Sequence, residues 1–391
     1  MCRHWYFATL RPKLRTHLKL MVRTKAGKTR AGFEKLKAGL ESFDVDDLKY
    51  LHHLSFVNFE NHLTKSFALL LECTFSLDHL EIFTSRLGNL TLWKKFITNN
   101  CSTLTSFTAN GLTFSNQALN NILNIKSLTR IVLHDSGPVR SSINWSIASS
   151  LEHLDIYYSA QQAGLAGAEI ELVKLKLPKL VFLQLANVVI SERGVGRELE
   201  RAQNGEIELE GFPKLKFLSL RRSFITVNNS IDALLYLLRK TECIETIDLQ
   251  GCDRYDYNDL IVALGPLSNH QTLRTLDLTG IDARAGFCDF FRRDGLDVKI
   301  ENLTVSTNKT KIQSDELFTH FIRSMISNNE YLKKLNISKT NIENPQLLTL
   351  LNSNKKLEVL NLTSCHGAPR GWRREVHSAE FPTLIRLCQK N

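Results

Sequence analysis

The sequence predicts an α/β solenoid in which each unit gives one short strand and one helix, with parallel strands on the concave face and helices on the convex face. Three observations predict it. The pattern Leu-x-x-Leu-x-Leu-x-x-(Cys/Asn/Ser/Thr) recurs along the chain. Its Leu-x-Leu centre is the period-2 mark of a strand with one buried face. The stretches between copies carry apolar stripes at helical spacing. Strands sit ~4.8 Å apart while packed helices need ~8–10 Å, so such a stack must curve.

Taken in order, weaker copies start at Leu51, Leu77 and Leu104, and clearer ones at Leu128, Leu151, Leu180, Leu215, Ile244 and Leu273. A weak copy starts at Ile300, and clear ones follow at Leu332 and Leu357. A last copy starts at Leu384, where Phe381-Pro382-Thr383-Leu384 echoes Phe212-Pro213-Lys214-Leu215 and the chain stops soon after. The mean period is about 28 residues, inside the leucine-rich range of about 20–29. Asp155, Gln184, Ser219, Asp248, Asp277, Thr304, Asn336 and Asn361 fall between the apolar strand positions and are expected to face away from the core.

The long gaps after Leu180 and Ile300 predict insertions, and residues 190–211 are expected to overhang the concave face. Helices are predicted over 315–326 behind an N-cap at Ser314, along the stripe Ile231, Leu234, Leu235 and Leu238, and after Asn344, read as an N-cap with Pro345 in the first turn. Cys252 and Cys365 fall at the ninth repeat position and are expected to be structural thiols.

This spacing resembles the leucine-rich-repeat family, in the long-repeat class of ribonuclease-inhibitor-like and F-box-associated arrays, over roughly residues 48–391. Two regions follow from it: a basic arm at 1–44 and a repeat domain of about 12–13 units at 45–391. The resemblance implies a protein-binding surface with no active-site chemistry of its own.

The charge divides along the same line. Residues 1–40 hold 11 Lys or Arg against one acid, Glu34, and the rest of the chain balances to zero. A nucleic-acid protein spreads its basic residues over a binding face, so no nucleic-acid partner is expected. Three readings of the arm stand side by side. Cys2, Trp5 and Tyr6, with Ala8 and Leu14, resemble the end of an F-box, whose Leu-Pro-x-Glu beginning does not precede them here. That resemblance implies docking on the adaptor of an SCF ubiquitin ligase. The segment also has the basic, acid-poor character of a mitochondrial presequence, and of a plain linker around Thr24–Arg30.

Catalytic and metal motifs are missing from the sequence. There is no Cys-x-x-Cys pair, no His-Glu-x-x-His, no phosphate-binding glycine loop and no nucleophile elbow. His4, His17 and His62 read as isolated, and His52-His53 as part of the first strand region. No cofactor or metal is expected. No apolar run reaches the ~18 residues of a membrane span, so no membrane contact is expected, and a cytoplasmic or nuclear location is. The six Asn-x-Ser/Thr triplets are a by-product of the strand pattern.

The expected function is substrate recognition in an F-box and leucine-rich-repeat ubiquitin ligase, with a general scaffold or a mitochondrially imported repeat protein as alternatives. The candidate partner-binding residues on the concave face are Tyr157, Gln184, Arg221, Asp248, Gln250 and Asp277, with Tyr158 and Arg222 beside them. Tyr and Arg are favoured there because they dominate binding hot spots.

Overall fold

The computed structural model describes residues 17–21, 50–60, 70–71, 76–137, 139–159, 168–191, 193–208, 211–225, 230–238, 240–252, 272–280, 299–306, 331–340 and 342–390. It forms two compact units, one of 1–180 with 187–189 and one of 181–186 with 190–391. The F-box-like residues Cys2, Trp5 and Tyr6 and the predicted helix at 315–326 lie outside the described residues.

In the first unit, strands His17–Met21, His53–Glu60, His79–Arg86, Ser106–Thr113, Arg130–His134 and His153–Tyr157 pair in parallel, each with the next. The register lines up Leu54, Leu80, Phe107, Ile131 and Leu154, and two residues on Phe56, Ile82, Ala109, Leu133 and Ile156. Every one of these side chains is buried. Taking a Leu or Ile wholly out of water stabilises by about 1.5–3 kcal/mol, so the rows hold the register against a one-residue slip. The first strand, His17–Met21, lies within the segment read as a basic arm and extends the same sheet.

Helices Leu90–Asn100 and Asn116–Leu123 return the chain between strands. Asn89 Oδ1 caps the first by accepting from the Thr91 and Leu92 amides at 3.0 and 3.1 Å. Ser115 caps the second through the Ala118 amide. A helix does not fill every return. Trp145–Ile147 and Leu172–Lys174 are single 3₁₀ turns. The repeat from Leu128 to Leu151 is short, and its polar run Arg140-Ser141-Ser142 has no apolar stripe to bury against the sheet.

In the second unit, strands Phe182–Ala186, Phe217–Ser219, Thr246–Asp248, Thr275–Asp277, Asn302–Thr304, Lys334–Asn336 and Val359–Asn361 are parallel neighbours in that order. Leu183, Leu218, Ile247, Leu276, Leu303, Leu335 and Leu360 form the buried row. The fold is the α/β leucine-rich-repeat fold. Helix Ser230–Leu238 matches its predicted stripe. Helix Asn344–Ser353 has its cap one residue earlier than expected, at Glu343, whose amide donates to Gln346 Oε1 at 2.8 Å.

Two expectations are corrected here. Among the described residues of 190–211, Val195–Gln203 does not overhang the strand face, because it is a helix whose Glu198 receives the Tyr236 hydroxyl at 3.2 Å from helix Ser230–Leu238. The segment buries Val195 and Leu199 on the helical side instead. Leu384 does not open a strand either. It is buried in helix Phe381–Lys390, and the preceding strand Glu375–His377 pairs antiparallel with Val359–Asn361. Pro382 sits in the first turn of that helix, where a missing amide costs nothing.

Two repeat-wide devices shape the turns. The ninth repeat position reaches back to a carbonyl of the preceding repeat: Ser223 Oγ to Leu185 O at 2.6 Å, Cys252 Sγ to Leu220 O at 2.9 Å and Cys365 Sγ to Ile337 O at 3.0 Å. The eighth position has a positive φ, at Asn58, Thr84, Gly111, Asp135, Asn187, Arg222, Gly251, Gly280, Lys339 and Ser364; in the first three it kinks a strand that then goes on pairing, and in the others it follows the strand's end.

Candidate interaction face of the sheet

The strand face opposite the buried leucines carries the candidate residues. In the second unit, Gln184 is the register partner of Ser219, Ser219 of Asp248, and Asp248 of Asp277. These four therefore form one row across four adjacent strands. Arg221 is exposed in the turn two residues beyond Ser219, close enough for its charge to act on Asp277. Asp277 has its carboxyl raised above the usual range by burial, with Asp248 adding to the rise and the Thr279 hydrogen bonds and Arg221 opposing it.

Part of this row serves the fold. Asp248 Oδ1 accepts from the Gln250 amide at 2.9 Å, and Asp277 Oδ1 from the Thr279 amide at 2.8 Å. Asn336 and Asn361 make the same turn with Ser338 and Thr363. The Ser219 hydroxyl donates to Asp248 Oδ2 at 3.0 Å, so this carboxylate is fixed at both oxygens. Gln250 is half-buried and takes part through its backbone.

Tyr157 belongs to the first unit. It ends strand His153–Tyr157 half-buried, with its ring edge-on to His134 at 5.6 Å and 73°. His134 Nε2 lies 3.0 Å from Asp155 Oδ2. The neighbours of Tyr157 and Arg221 sit differently in the fold. Tyr158 is an interior residue whose hydroxyl donates to the Ser136 carbonyl, and Arg222 is the left-handed turn residue.

Sequence reasoning passed over a pair of aromatics. Phe182 and Phe217 stack with ring centroids 4.3 Å apart and planes 2° from parallel, half-exposed on the strand face. The signal was available, since both stand two residues after the first leucine of consecutive repeats. The histidines of the first unit were also passed over. His17, read as isolated, and His53, read as part of the first strand region, are register neighbours, and His53 in turn of His79.

Among the described residues, no group of His, Cys, Asp and Glu is arranged to hold a metal ion, and no helix is long and apolar enough to cross a membrane. Cys101, Cys243, Cys252, Cys365 and Cys388 are not joined in disulfides. Burial pushes the Cys101, Cys365 and Cys388 thiols up, away from the reactive thiolate.

No protein-family model matches the sequence, and no curated protein sequence does. Solved structures do show likeness. A chain of the Rad7 and Elc1 complex from yeast is 18% identical with a TM-score of 0.46, over 84% of this chain and 75% of that one. A chain of the TLR13–ssRNA13 complex is 20% identical with a TM-score of 0.46, over 81% of this chain and 39% of that one. The leucine-rich-repeat-containing protein LegL7 from Legionella pneumophila is 13% identical with a TM-score of 0.37, over 86% of this chain and 98% of that one. The fold assignment stands on the leucine rows and strand register of the chain itself.

Proposed function

We propose that the chain is a protein-binding module that recognises its partner on the strand face, and that it acts as the substrate-recognition part of an F-box and leucine-rich-repeat SCF ubiquitin ligase. The observation that carries the binding role is the surface centred on the Phe182–Phe217 stack, the exposed Arg221 and the Gln184–Ser219–Asp248–Asp277 row. It combines aromatic area with polar groups already held in place by turns, which lowers the ordering cost of binding. The ligase role is supported by the resemblance of Cys2, Trp5 and Tyr6 to the end of an F-box. In this reading the protein needs no cofactor, performs no chemistry and works in the cytoplasm or nucleus.

The test has two arms. Purified full-length chain is mixed with the purified SCF adaptor, and binding is expected to weaken on Trp5→Ala. Proximity labelling in cells then compares the native chain with a Phe217→Ser/Arg221→Glu variant. A protein lost from the variant's neighbours, and longer-lived when the chain is depleted, is the expected substrate. Partner loss without adaptor binding would leave a scaffold. An unchanged set of neighbours would overturn the binding face.

A further inference from the structure

Six strands of the first unit bring five of the chain's 12 histidines to one side of the sheet. His17, His53 and His79 share one register row, with neighbouring ring centroids 4.9 and 5.6 Å apart. The row continues through Ser106 to Arg130 and His153. His134 and Tyr157 stand four residues further along their strands, on the same side by alternation. The buried row Leu54, Leu80, Phe107, Ile131 and Leu154 defines the opposite side.

Two carboxylates share the histidine face, and each is in contact with an imidazole. Glu81 Oε2 lies 3.2 Å from His53 Nε2, and Asp155 Oδ2 lies 3.0 Å from His134 Nε2. Arg130 is exposed on this face, and Lys19 stands at the register position of Ser55. His52 and Asp78, 3.0 Å apart, lie at the strand entries beyond the face. Ser55, Thr108 and Asn110 carry no charge.

We propose that this histidine face docks a carboxylate-rich polypeptide segment, and that docking tightens on acidification from about pH 7.5 to about pH 5.5. Imidazole is the side chain whose charge changes in that interval; His153 is the exception on this face, because burial and the nearby Arg130 lower its pKa to about 4. Protonation of neighbouring rings places like charges side by side, and an incoming carboxylate relieves their repulsion. By linkage, a ligand that favours the protonated face must bind more tightly as protons are added. The His53–Glu81 and His134–Asp155 contacts show the single nitrogen-to-oxygen geometry such a segment would repeat. A nucleic acid is disfavoured, because phosphate binding draws on an array of fixed Lys and Arg, and among the described residues Arg130 stands in the histidine row with a second exposed guanidinium, Arg86, only at the far end of its strand. The inference rests on the reading that strand faces of this chain bind protein, but on a different unit and different residues.

The experiment uses the full chain and fluorescein-labelled poly-L-glutamate, with poly-L-glutamine and a single-stranded oligonucleotide as the other probes. Anisotropy titrations at about pH 7.5 and about pH 5.5 are expected to show glutamate affinity rising about tenfold on acidification. The His53→Gln/His79→Gln variant is expected to lose most of that gain. His79→Asn, at an exposed position, gives the same reading should the double variant fail to fold. No gain in the native chain, a gain that survives both variants, or tighter binding of the oligonucleotide would overturn the proposal. Phe217→Ser/Arg221→Glu is expected to leave the pH response intact, so failure here and failure of the second-unit face are told apart.

Discussion

Arg222 and Gly251 hold the same place in successive repeats, with φ of 54° and 71°, and a Cβ built on Gly251 would fall 2.8 Å from Arg222 Cγ. The turn therefore has two demands, a left-handed backbone and little room beside the neighbouring turn. Arg222 meets the first at a steric cost that glycine avoids.

Gly251→Ala is expected to destabilise by about 1–2 kcal/mol, the cost of a left-handed L-residue with some crowding. Thr84, at the same repeat position with φ of 47°, is β-branched and worse suited. Thr84→Gly is expected to stabilise by about 0.5–1 kcal/mol, the relief of strain exceeding the added freedom of the unfolded chain. Urea unfolding monitored by circular dichroism checks both. A Gly251→Ala midpoint equal to the native one would remove the argument.

This turn also shows what the sequence could reveal. The leucine rows were legible because every repeat uses the same apolar class at the same spacing, and the strand face followed from alternation alone. The left-handed position was not legible, since Asn, Thr, Gly, Asp, Arg, Lys and Ser all occupy it. Its common property is a backbone angle, which no single residue type reports. The Phe182–Phe217 stack needed only two repeats to be compared. The His17–His53–His79 row needed the strand His17–Met21, whose partner lies far along the chain. The helix at Leu384 was masked by an apparent repeat that instead joins the terminal helix.

Cys252 and Ser223 do the same work in adjacent repeats, each donating to a carbonyl of the repeat before it. Cys252→Ser is therefore expected to be tolerated, while Cys252→Ala leaves the Leu220 carbonyl without that donor and is expected to cost about 1–2 kcal/mol. The comparison is read from denaturation midpoints of the two variants. Equal losses would assign the thiol to space-filling alone. Buried Cys101, Cys252 and Cys365 are likewise expected to resist a thiol reagent in the native state and to react on unfolding.

Trp93 holds two helices together in the first unit. Its ring is buried in helix Leu90–Asn100, and Nε1–H donates to the Ala118 carbonyl of helix Asn116–Leu123 at 3.0 Å. Trp93→Phe keeps most of the apolar contact but loses this donor, with an expected cost of about 1–3 kcal/mol. Trp93→Ala also leaves a cavity beside Phe107 and Leu119 and is expected to cost about 3–5 kcal/mol. Hydrogen exchange at amides of both helices separates this local effect from stability elsewhere in the array. Protection that is unchanged in Asn116–Leu123 would show that the hydrogen bond does not couple them.

His153 makes stability pH-dependent in a defined window. Its pKa is lowered to about 4, first by burial and then by the nearby Arg130, with Asp155 opposing. Below about pH 6.5 the unfolded chain takes up a proton that the folded imidazole resists, so acidification favours unfolding. Above that pH both states are neutral and the group contributes nothing further. Half-burial and solvent screening reduce the expected loss to on the order of 1–2 kcal/mol by about pH 4.5. His153→Asn removes the titrating group, so its stability should fall less steeply than the native chain's between about pH 6.5 and about pH 4.5. Parallel curves for the two proteins across that interval would show that this imidazole does not resist its proton in the folded state.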